Sequence, residues 1–237
     1  MFGVSTHCLS HEPLEKALEL LVPVTGIVEI MDDGCHFCAT AEPLESYSFE
    51  YFLHAPARGV NIASTLEPIR RASVEVIGQA FTVAGEVDAD VVIHPGYYTW
   101  VQEREAAIGQ MQQSLGELTR YAEECGITFF VENMPEWHYF FLRSPDELPL
   151  IGGLGLALDV GHAHLNGCLD AFLECPISHF HLHDNDGTED SHVAVGDGTI
   201  DFTKVLTAVS KNSAIPVIEV GTLDGVLASI DRLGLHR

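Results

Sequence analysis

Short apolar runs alternate with segments of helical periodicity along the whole chain. The runs are continuous rather than alternating, which is typical of parallel strands buried on both faces. We predict strands over 2–6, 24–30, 50–54, 89–94, 127–132, 154–159, 177–183 and 215–220. Because parallel neighbours need crossover connections, the helical segments between these runs predict a parallel sheet.

Helical spacing is clearest over 101–125, and Gly126 follows as a stop signal. One apolar face recurs there every three or four residues, formed by Val101, Ile108, Met111, Leu115, Leu118 and Ala122. Similar spacing predicts helices over 66–82 and 201–210, the second capped by Asp201. The helices after the second, fifth and sixth strands are expected to be short.

Eight such units predict a closed (β/α)8 TIM barrel, and 237 residues is an ordinary length for one. We find no linker, low-complexity tract or obvious repeat, so we expect a single domain over 1–237. The alternative is an open parallel sheet. That alternative is disfavoured because the Gly-rich phosphate loop expected after its first strand is missing.

Composition adds three expectations. The 46% hydrophobic content is enough for a full core, and no apolar run reaches the ~18 residues of a membrane helix. The first residues lack a basic flank and a long apolar stretch, so no signal peptide and a cytoplasmic location are expected. Six scattered cysteines favour reduced thiols. We interpret the lone Cys35–Cys38 CxxC pair as structural, with redox or metal chemistry as the alternative.

The net charge is −24, and basic residues are sparse. This argues against a broad basic surface for nucleic acid, so binding of extended duplex DNA is doubtful. A solvated acidic surface from a salt-rich habitat is one interpretation of the charge. The other is that bound cations supply positive charge locally and attract a small anionic substrate. The oligomeric state is left open.

Polar residues able to bind metal follow the predicted strands. In a barrel the carboxyl ends of the strands meet at one face, so these side chains are expected to converge there. The candidate ligands are His54, His94, Glu132, Asp159, His162, His181, Asp190, His192 and Glu219. Each alone is a weak signal, since a buried His or Asp more often satisfies a hydrogen bond or a cap. We predict that role for most of His7, His11, His36, His138, His164, His179, His183 and His236.

His183 is ambiguous, because strand alternation points it the same way as His181. Glu29 either faces the site or forms an ion pair inside the barrel. Gly196 and Gly198 are expected to allow a tight loop that aims His192. The expected walls of a substrate pocket, or packing beneath loops, are Tyr97, Tyr98, Trp100 and Trp137. Arg58, Arg104 and Arg143 are interpreted as solvated surface residues, with phosphate contact as the alternative.

Several motifs occur in order between about residues 50 and 220. They are His94-Pro95-Gly96, Val131-Glu132-Asn133-Met134, Leu158-Asp159-Val160-Gly161-His162, His181-Leu182-His183-Asp184, Asp190-Ser191-His192 before Gly196-Asp197-Gly198, and Pro216-Val217-Ile218-Glu219. This set resembles the endonuclease IV (AP endonuclease family 2) branch of the xylose isomerase-like TIM barrel superfamily.

The resemblance implies a site for up to three zinc ions, with manganese or magnesium as alternatives. His54, His94 and Glu132 would hold the first ion, and Glu132 would bridge to a second. Asp159, His181 and Glu219 would complete that second site. His162, Asp190 and His192 would hold the third. The implied reaction is hydrolysis of a phosphoester by a metal-bound hydroxide, with Glu132 and Glu219 as catalytic residues.

Two alternatives remain open. Sugar isomerases and epimerases of the same superfamily share a smaller core, matched here by Glu132, Asp159, His181 and Glu219, around one divalent metal. Glu132 and Glu219 would then move a proton between adjacent carbons. A barrel that binds metal and ligand without catalysis is the third possibility. The additional donors favour the hydrolase. The segment after His54, residues 55–59, lacks the aromatic residue that helps to distort DNA in the endonuclease branch, so a small anionic or sugar-like substrate is expected.

Overall fold

A computed structural model describes residues 1–235 of the chain, and His236 lies outside the described residues. Within residues 1–235, the predicted strands form one closed parallel barrel in sequence order, with β1 pairing β8. The strands are β1 (Gly3–Ser5), β2 (Ile27–Met31), β3 (Glu50–His54), β4 (Asp90–Ile93), β5 (Phe129–Glu132), β6 (Gly155–Asp159), β7 (His179–Leu182) and β8 (Pro216–Ile218). The TIM-barrel prediction is therefore confirmed.

The helices surround this barrel. They are α1 (Leu14–Leu21), α2 (Glu42–Glu45), α3 (Glu67–Glu86), α4 (Arg104–Cys125), α5 (Val160–Leu165), α6 (Leu169–Leu173), α7 (Phe202–Asn212) and α8 (Leu223–Leu233). The helices after β2, β5 and β6 are short, as predicted: these connections contain α2, a 3-10 segment over Pro145–Ile151, and the α5–α6 pair.

Local sequence signals determine the ends of the long helices. A 3-10 turn, Val101–Glu103, precedes α4, and Gly126 ends that helix in the left-handed conformation with φ of 72°. The side chain of Asp201 accepts a hydrogen bond from the Thr203 amide and caps α7. Helix α3 runs past the predicted residue 82 to Glu86, because the buried Val83 and Ala84 continue its apolar face.

Apolar residues fill the barrel interior towards the amino-terminal ends of the strands. This layer comes from six strands and consists of Ile27, Phe52, Val92, Phe130, Ala157 and Val217. Side chains two positions apart on a strand share a face. The position two residues further along each of these strands, towards its carboxyl end, therefore also faces the interior. At all six of these positions the residue is polar: Glu29, His54, His94, Glu132, Asp159 and Glu219.

The buried Arg70 of α3 forms ion pairs with Glu67 and with Glu117 of α4, at 2.8 and 3.1 Å. All six cysteines lie in the described part of the chain and are free thiols. Among the described residues, the structure has no helix with the length and apolarity needed to cross a membrane.

Candidate metal centre

A cavity of about 340 Å³ opens at the carboxyl ends of the strands. Its wall includes seven of the nine predicted ligands: His54, His94, Glu132, His162, Asp190, His192 and Glu219. Asp159 and His181 are fully buried beneath it. The structure thus brings the nine side chains to one place. Their role as ligands stays a prediction that geometry and chemistry must support.

Glu132 lies at the centre of the arrangement and is 1% exposed. Its Oε2 atom lies 3.0 Å from Nε2 of His54 and 3.1 Å from Nε2 of His94. Its Oε1 atom faces the other way, 3.3 Å from Nδ1 of His181. The two oxygens of one carboxylate therefore face two different groups of donors, as a bridging ligand requires.

The second donor group lies on the inner side of Glu132. Nδ1 of His181 is 3.5 Å from Oε2 of Glu219, and one ligand atom from each of Glu132, Asp159, His181 and Glu219 lies within 4.8 Å of the others. Asp159 also accepts a hydrogen bond from the backbone amide of His162 at 2.7 Å, which caps α5. This carboxylate therefore both begins a helix and faces the centre.

The third donor group is larger than the sequence predicted. Oδ2 of Asp190 lies 3.1 Å from Nε2 of His162 and 3.5 Å from Nε2 of His192. His183 joins them: its ring stacks on that of His192 with centroids 3.8 Å apart, and its Nε2 contacts Asp159 at 3.0 Å. The alternation of β7 was the signal that could have assigned His183 to this group.

The orientation of three imidazole rings is determined by backbone carbonyl oxygens. The Nδ1 atoms of His54, His162 and His192 donate to the carbonyl oxygens of Ala55, Asn133 and Glu219, at 3.0, 2.8 and 2.7 Å. A carbonyl oxygen accepts only, so the ring proton of the neutral form must lie on Nδ1. The lone pair of Nε2 is then directed into the centre, which is the arrangement a metal ligand needs.

The loop that carries Asp190 and His192 is held by buried polar contacts. Asp184 accepts hydrogen bonds from the amides of Gly196 and Ile200, at 2.9 and 3.1 Å. Gly198 lies so close to this segment that a Cβ atom there would overlap the carbonyl oxygen of Asn185. A glycine is required at this point, and it allows the loop to return against the barrel and hold His192.

Charges inside the centre are strongly coupled to the imidazoles. Burial opposes ionisation of Glu132, but His181 and His94 outweigh it and hold the pKa of this carboxyl well below its usual range. Burial also disfavours the cation of His54, yet the contact with Glu132 raises its pKa to about 9. Asp190 acts in the same way on His192 and raises its pKa to about 9. Without metal, protons therefore occupy positions that a divalent cation would take.

The donor set fits zinc. Imidazole nitrogen and carboxylate oxygen are ordinary zinc ligands. In their neutral forms three of the histidines hold the ring proton on Nδ1, where a backbone carbonyl oxygen accepts it, and Glu132 presents one oxygen to each of two groups. Glu132, Asp159 and Glu219 are buried, so a cation would also compensate charge that is costly to bury alone.

Other residues of the cavity differ in how well the sequence indicated them. His7, which was predicted to make a structural hydrogen bond, lies on the wall with its ring 4.9 Å from that of His192. Arg58 and Tyr97 also line the cavity, whereas Trp100 is 66% exposed. Glu29 contacts His179 and His181 inside the barrel, at 2.8 and 2.9 Å, so of its two predicted positions the ion pair is the one observed.

Of the three arginines considered for phosphate contact, Arg104 and Arg143 do not line the cavity. Arg104 pairs with Glu147 at 2.6 Å, and Arg143 donates to Asn166 at 3.2 Å. Trp137 packs edge-on against the Tyr97 ring at 5.5 Å. Among these aromatics and arginines, Arg58 and Tyr97 are thus the residues placed to touch a ligand.

Comparison with known proteins agrees with the barrel fold. An uncharacterized protein of Methanocaldococcus jannaschii, MJ1614, is 34% identical over 98% of this chain and 97% of its own length. The crystal structure of a D-tagatose 3-epimerase-like protein superposes with a TM-score of 0.90, at 30% identity, over 98% of this chain and 95% of that one. An AP endonuclease of family 2 from Brucella melitensis superposes with a TM-score of 0.78, at 16% identity, over 100% and 99% of the two chains.

The last of these likenesses shows the fold alone. The 30% identical epimerase-like structure, with the family match, confirms the prediction of an enzyme that is either a metal-dependent hydrolase or a sugar isomerase or epimerase. The family described as Xylose isomerase-like TIM barrel matches residues 24–222, most of the chain. The chain therefore belongs to the xylose isomerase-like TIM barrel family.

Proposed function

We propose that the chain is a zinc-dependent hydrolase of small phosphoesters. The observation that carries the proposal is the position of Glu132, whose two oxygens face two donor groups while a third group lies beside them. Nine donors in three groups exceed what one metal can use, and bound zinc ions would supply Lewis acids that polarise phosphoryl oxygens and stabilise the leaving oxygen. His54, His94 and Glu132 would hold one ion. The second would lie on Glu132, Asp159, His181 and Glu219, and the third on His162, Asp190 and His192.

The residues of the chain also select the substrate. A cavity of about 340 Å³ matches a small molecule rather than a duplex. Arg58 lies on its wall, and within residues 1–235 its guanidinium forms no ion pair with a carboxylate. It is placed to bind an anionic group at the cavity mouth. The net charge of −24 opposes binding of nucleic acid elsewhere on the surface.

Part of the cavity wall is apolar. Tyr97, Met134, Pro135 and Phe140 line it, and they would pack against the uncharged part of a substrate and exclude water from the reacting group. An anionic group near Arg58 and an apolar or sugar-like portion near Tyr97 therefore define the expected substrate class.

A zinc measurement tests this proposal most directly. Purified protein reconstituted with zinc is expected to hold about three equivalents, one for each donor group, and anomalous diffraction at the zinc edge should place them. Activity is expected on p-nitrophenyl phosphate or its bis-ester and not on abasic duplex DNA. A single equivalent of metal, or no phosphoester turnover at full zinc loading, contradicts the proposal.

Glu132→Gln with Glu136→Gln as its control completes the test. Glu136 lies four residues further on, in the loop after β5, and is exposed, so its substitution should leave zinc content and turnover unchanged. Glu132→Gln removes one carboxylate from two groups at once. Its loss of activity should exceed the ~10- to 100-fold typical of groups that only orient a ligand.

One observation favours a second candidate, a sugar isomerase or epimerase with one metal. Glu132 and Glu219 both lie near Nδ1 of His181, so two carboxylates reach one position from different strands. Such a pair can remove a proton from one carbon and return it to the next. The 30% identical D-tagatose 3-epimerase-like protein supports this candidate. Turnover of a ketohexose with one manganese or magnesium equivalent, and none of phosphoesters, would establish it over the hydrolase.

A further inference from the structure

Glu29 is a charged residue of the barrel interior that none of the three donor groups uses. It projects from β2 and is 0% exposed. Its Oε1 atom lies 2.9 Å from Nε2 of His181, and its Oε2 atom lies 2.8 Å from Nε2 of His179. An unpaired carboxylate at this depth would be strongly destabilising, so the two imidazoles are its stabilising partners.

His181 differs from the other histidines of the centre in its orientation. Three of them direct Nδ1 to a backbone carbonyl oxygen and Nε2 to the centre. His181 is turned the other way: Nε2 faces Glu29, and Nδ1 faces Glu132 and Glu219 at 3.3 and 3.5 Å. The Glu29 carboxylate therefore lies where a carbonyl oxygen lies for the others, at contact distance from the nitrogen that faces away from Glu132 and Glu219.

His179 holds the carboxylate in position for this contact. It lies two residues before His181 on β7, so both rings point into the barrel. Its ring packs between Phe52, at a centroid distance of 4.7 Å, and Phe130, at 5.9 Å with the planes 12° apart. Because these aromatic rings confine His179, one oxygen of Glu29 is held there and the other is aimed at His181.

Glu29, His179 and His181 also form a triad of possible metal ligands, but none of the three lines the cavity. Each of the three donor groups includes residues of the cavity wall, so a cation can reach them from the cavity. In the triad, each oxygen of Glu29 is in direct contact with one imidazole, at 2.8 and 2.9 Å. Neither contact has hydrogen-bond geometry. Both are electrostatic contacts between the carboxylate and an imidazole.

We propose that Glu29 is a positioning residue for the second donor group: its carboxylate keeps the ring proton of His181 on Nε2 and so presents the Nδ1 lone pair to a cation held by Glu132 and Glu219. This inference rests on the proposed function, because it presumes that a metal binds there. Metal-binding histidines generally contact a second polar group in this way, and that contact determines the tautomer.

Zinc titration against a competing chelator tests the proposal in Glu29→Gln, with Thr25→Val as control. Thr25 is equally buried near the base of the same strand, with Oγ1 3.0 Å from the Phe2 carbonyl oxygen, and contacts no ligand. Glu29→Gln is expected to weaken one zinc site about 10- to 100-fold while the other sites keep their affinity. Thr25→Val should bind zinc as the wild type does. Equal affinities in Glu29→Gln and wild type overturn the proposal.

A spectroscopic measurement on the wild type does not depend on whether Glu29→Gln folds. Long-range ¹H–¹⁵N spectra of the zinc-loaded protein, with His181→Gln used for assignment, should show a proton on Nε2 of His181 and none on Nδ1. A proton on Nδ1 overturns the proposal. Wild-type protein that binds no zinc contradicts the proposed function itself, whereas normal zinc binding with an unchanged Glu29→Gln contradicts this inference alone.

Discussion

The backbone of Gly161 lies directly against the imidazole ring of His183, so closely that a Cβ atom on Gly161 would overlap that ring. Gly161 belongs to the first turn of α5, between the cap residue Asp159 and the predicted ligand His162. Its lack of a side chain is what allows His183 to stack on His192 and contact Asp159. A glycine within the predicted metal-binding motif thus has a packing role.

Gly161→Ala is expected to displace His183 and disrupt the third donor group. Zinc content should fall by about one equivalent, and overpacking should lower the free energy of unfolding by about 1–3 kcal/mol. Gly116→Ala is the matched control, since Gly116 lies in α4 with open space around its Cα and should gain up to ~1 kcal/mol. Metal analysis and urea denaturation measure both. Unchanged zinc content in Gly161→Ala would show that His183 does not support this group.

Removal of metal should destabilise the fold. Four carboxylates, Glu132, Asp159, Asp190 and Glu219, lie within the cluster, and a bound cation compensates them. At a free zinc concentration 100-fold above Kd, binding stabilises the folded state by about 2.7 kcal/mol per site. Thermal denaturation in a chelator should therefore give a lower Tm, restored when zinc is added back. A Tm that does not respond to either treatment would contradict a metal centre.

The cysteines of the CxxC pair should differ in reactivity. Cys35 is exposed, whereas burial raises the pKa of the Cys38 thiol to about 12. A raised pKa leaves almost no thiolate at pH 8, and thiolate is the reactive form. Iodoacetamide at that pH is expected to label Cys35 and leave Cys38 and Cys8 intact, because burial also raises the pKa of Cys8 to about 12. Peptide mass spectrometry reads the result, and labelling of all three in urea is the control.

Arg70→Met should reduce stability without changing the metal centre. The side chain of Arg70 is 2% exposed and links α3 to Glu117 of α4. Breaking a fully buried ion pair costs ~3–5 kcal/mol, and about 2–3 kcal/mol is expected here because both glutamates retain contact with solvent. Arg71→Met, on the exposed face of the same helix, should change stability by less than ~0.5 kcal/mol. Loss of zinc in Arg70→Met would contradict this separation of roles.

The fold followed from the sequence because its signals are local. Continuous apolar runs and helical spacing are properties of neighbouring residues, and Gly126 and Asp201 end or begin helices by their own chemistry. Strand β1 spans Gly3–Ser5 rather than the predicted 2–6, since pairing with two neighbours and not apolarity determines its length. Each strand pairs with the next one along the chain, so the order of the predicted strands was enough to predict a closed barrel.

The sequence also predicted that the candidate ligands converge, because each of them lies near the carboxyl end of a strand or follows it. It did not predict which residues contact and orient these ligands. Which nitrogen of His162 faces the centre depends on the carbonyl of Asn133, and nothing near His162 in the sequence indicates that contact. His7 reaches the cavity wall only because the loop after β1 lies beside that of His192. Glu29 meets His181 across the barrel, a contact between strands far apart in sequence. Contacts of this kind require coordinates.

The candidate ligands come from β3 onwards, and the last of them, Glu219, follows the final strand. The predicted set of donors is therefore incomplete until β8 has taken its place beside β1 and brought Glu219 to the cavity. An ion bound to a barrel that is still open would be held by fewer groups and would exchange readily. Closure of β8 against β1 and completion of the predicted centre would then be one event, so retention of a cation would report barrel closure.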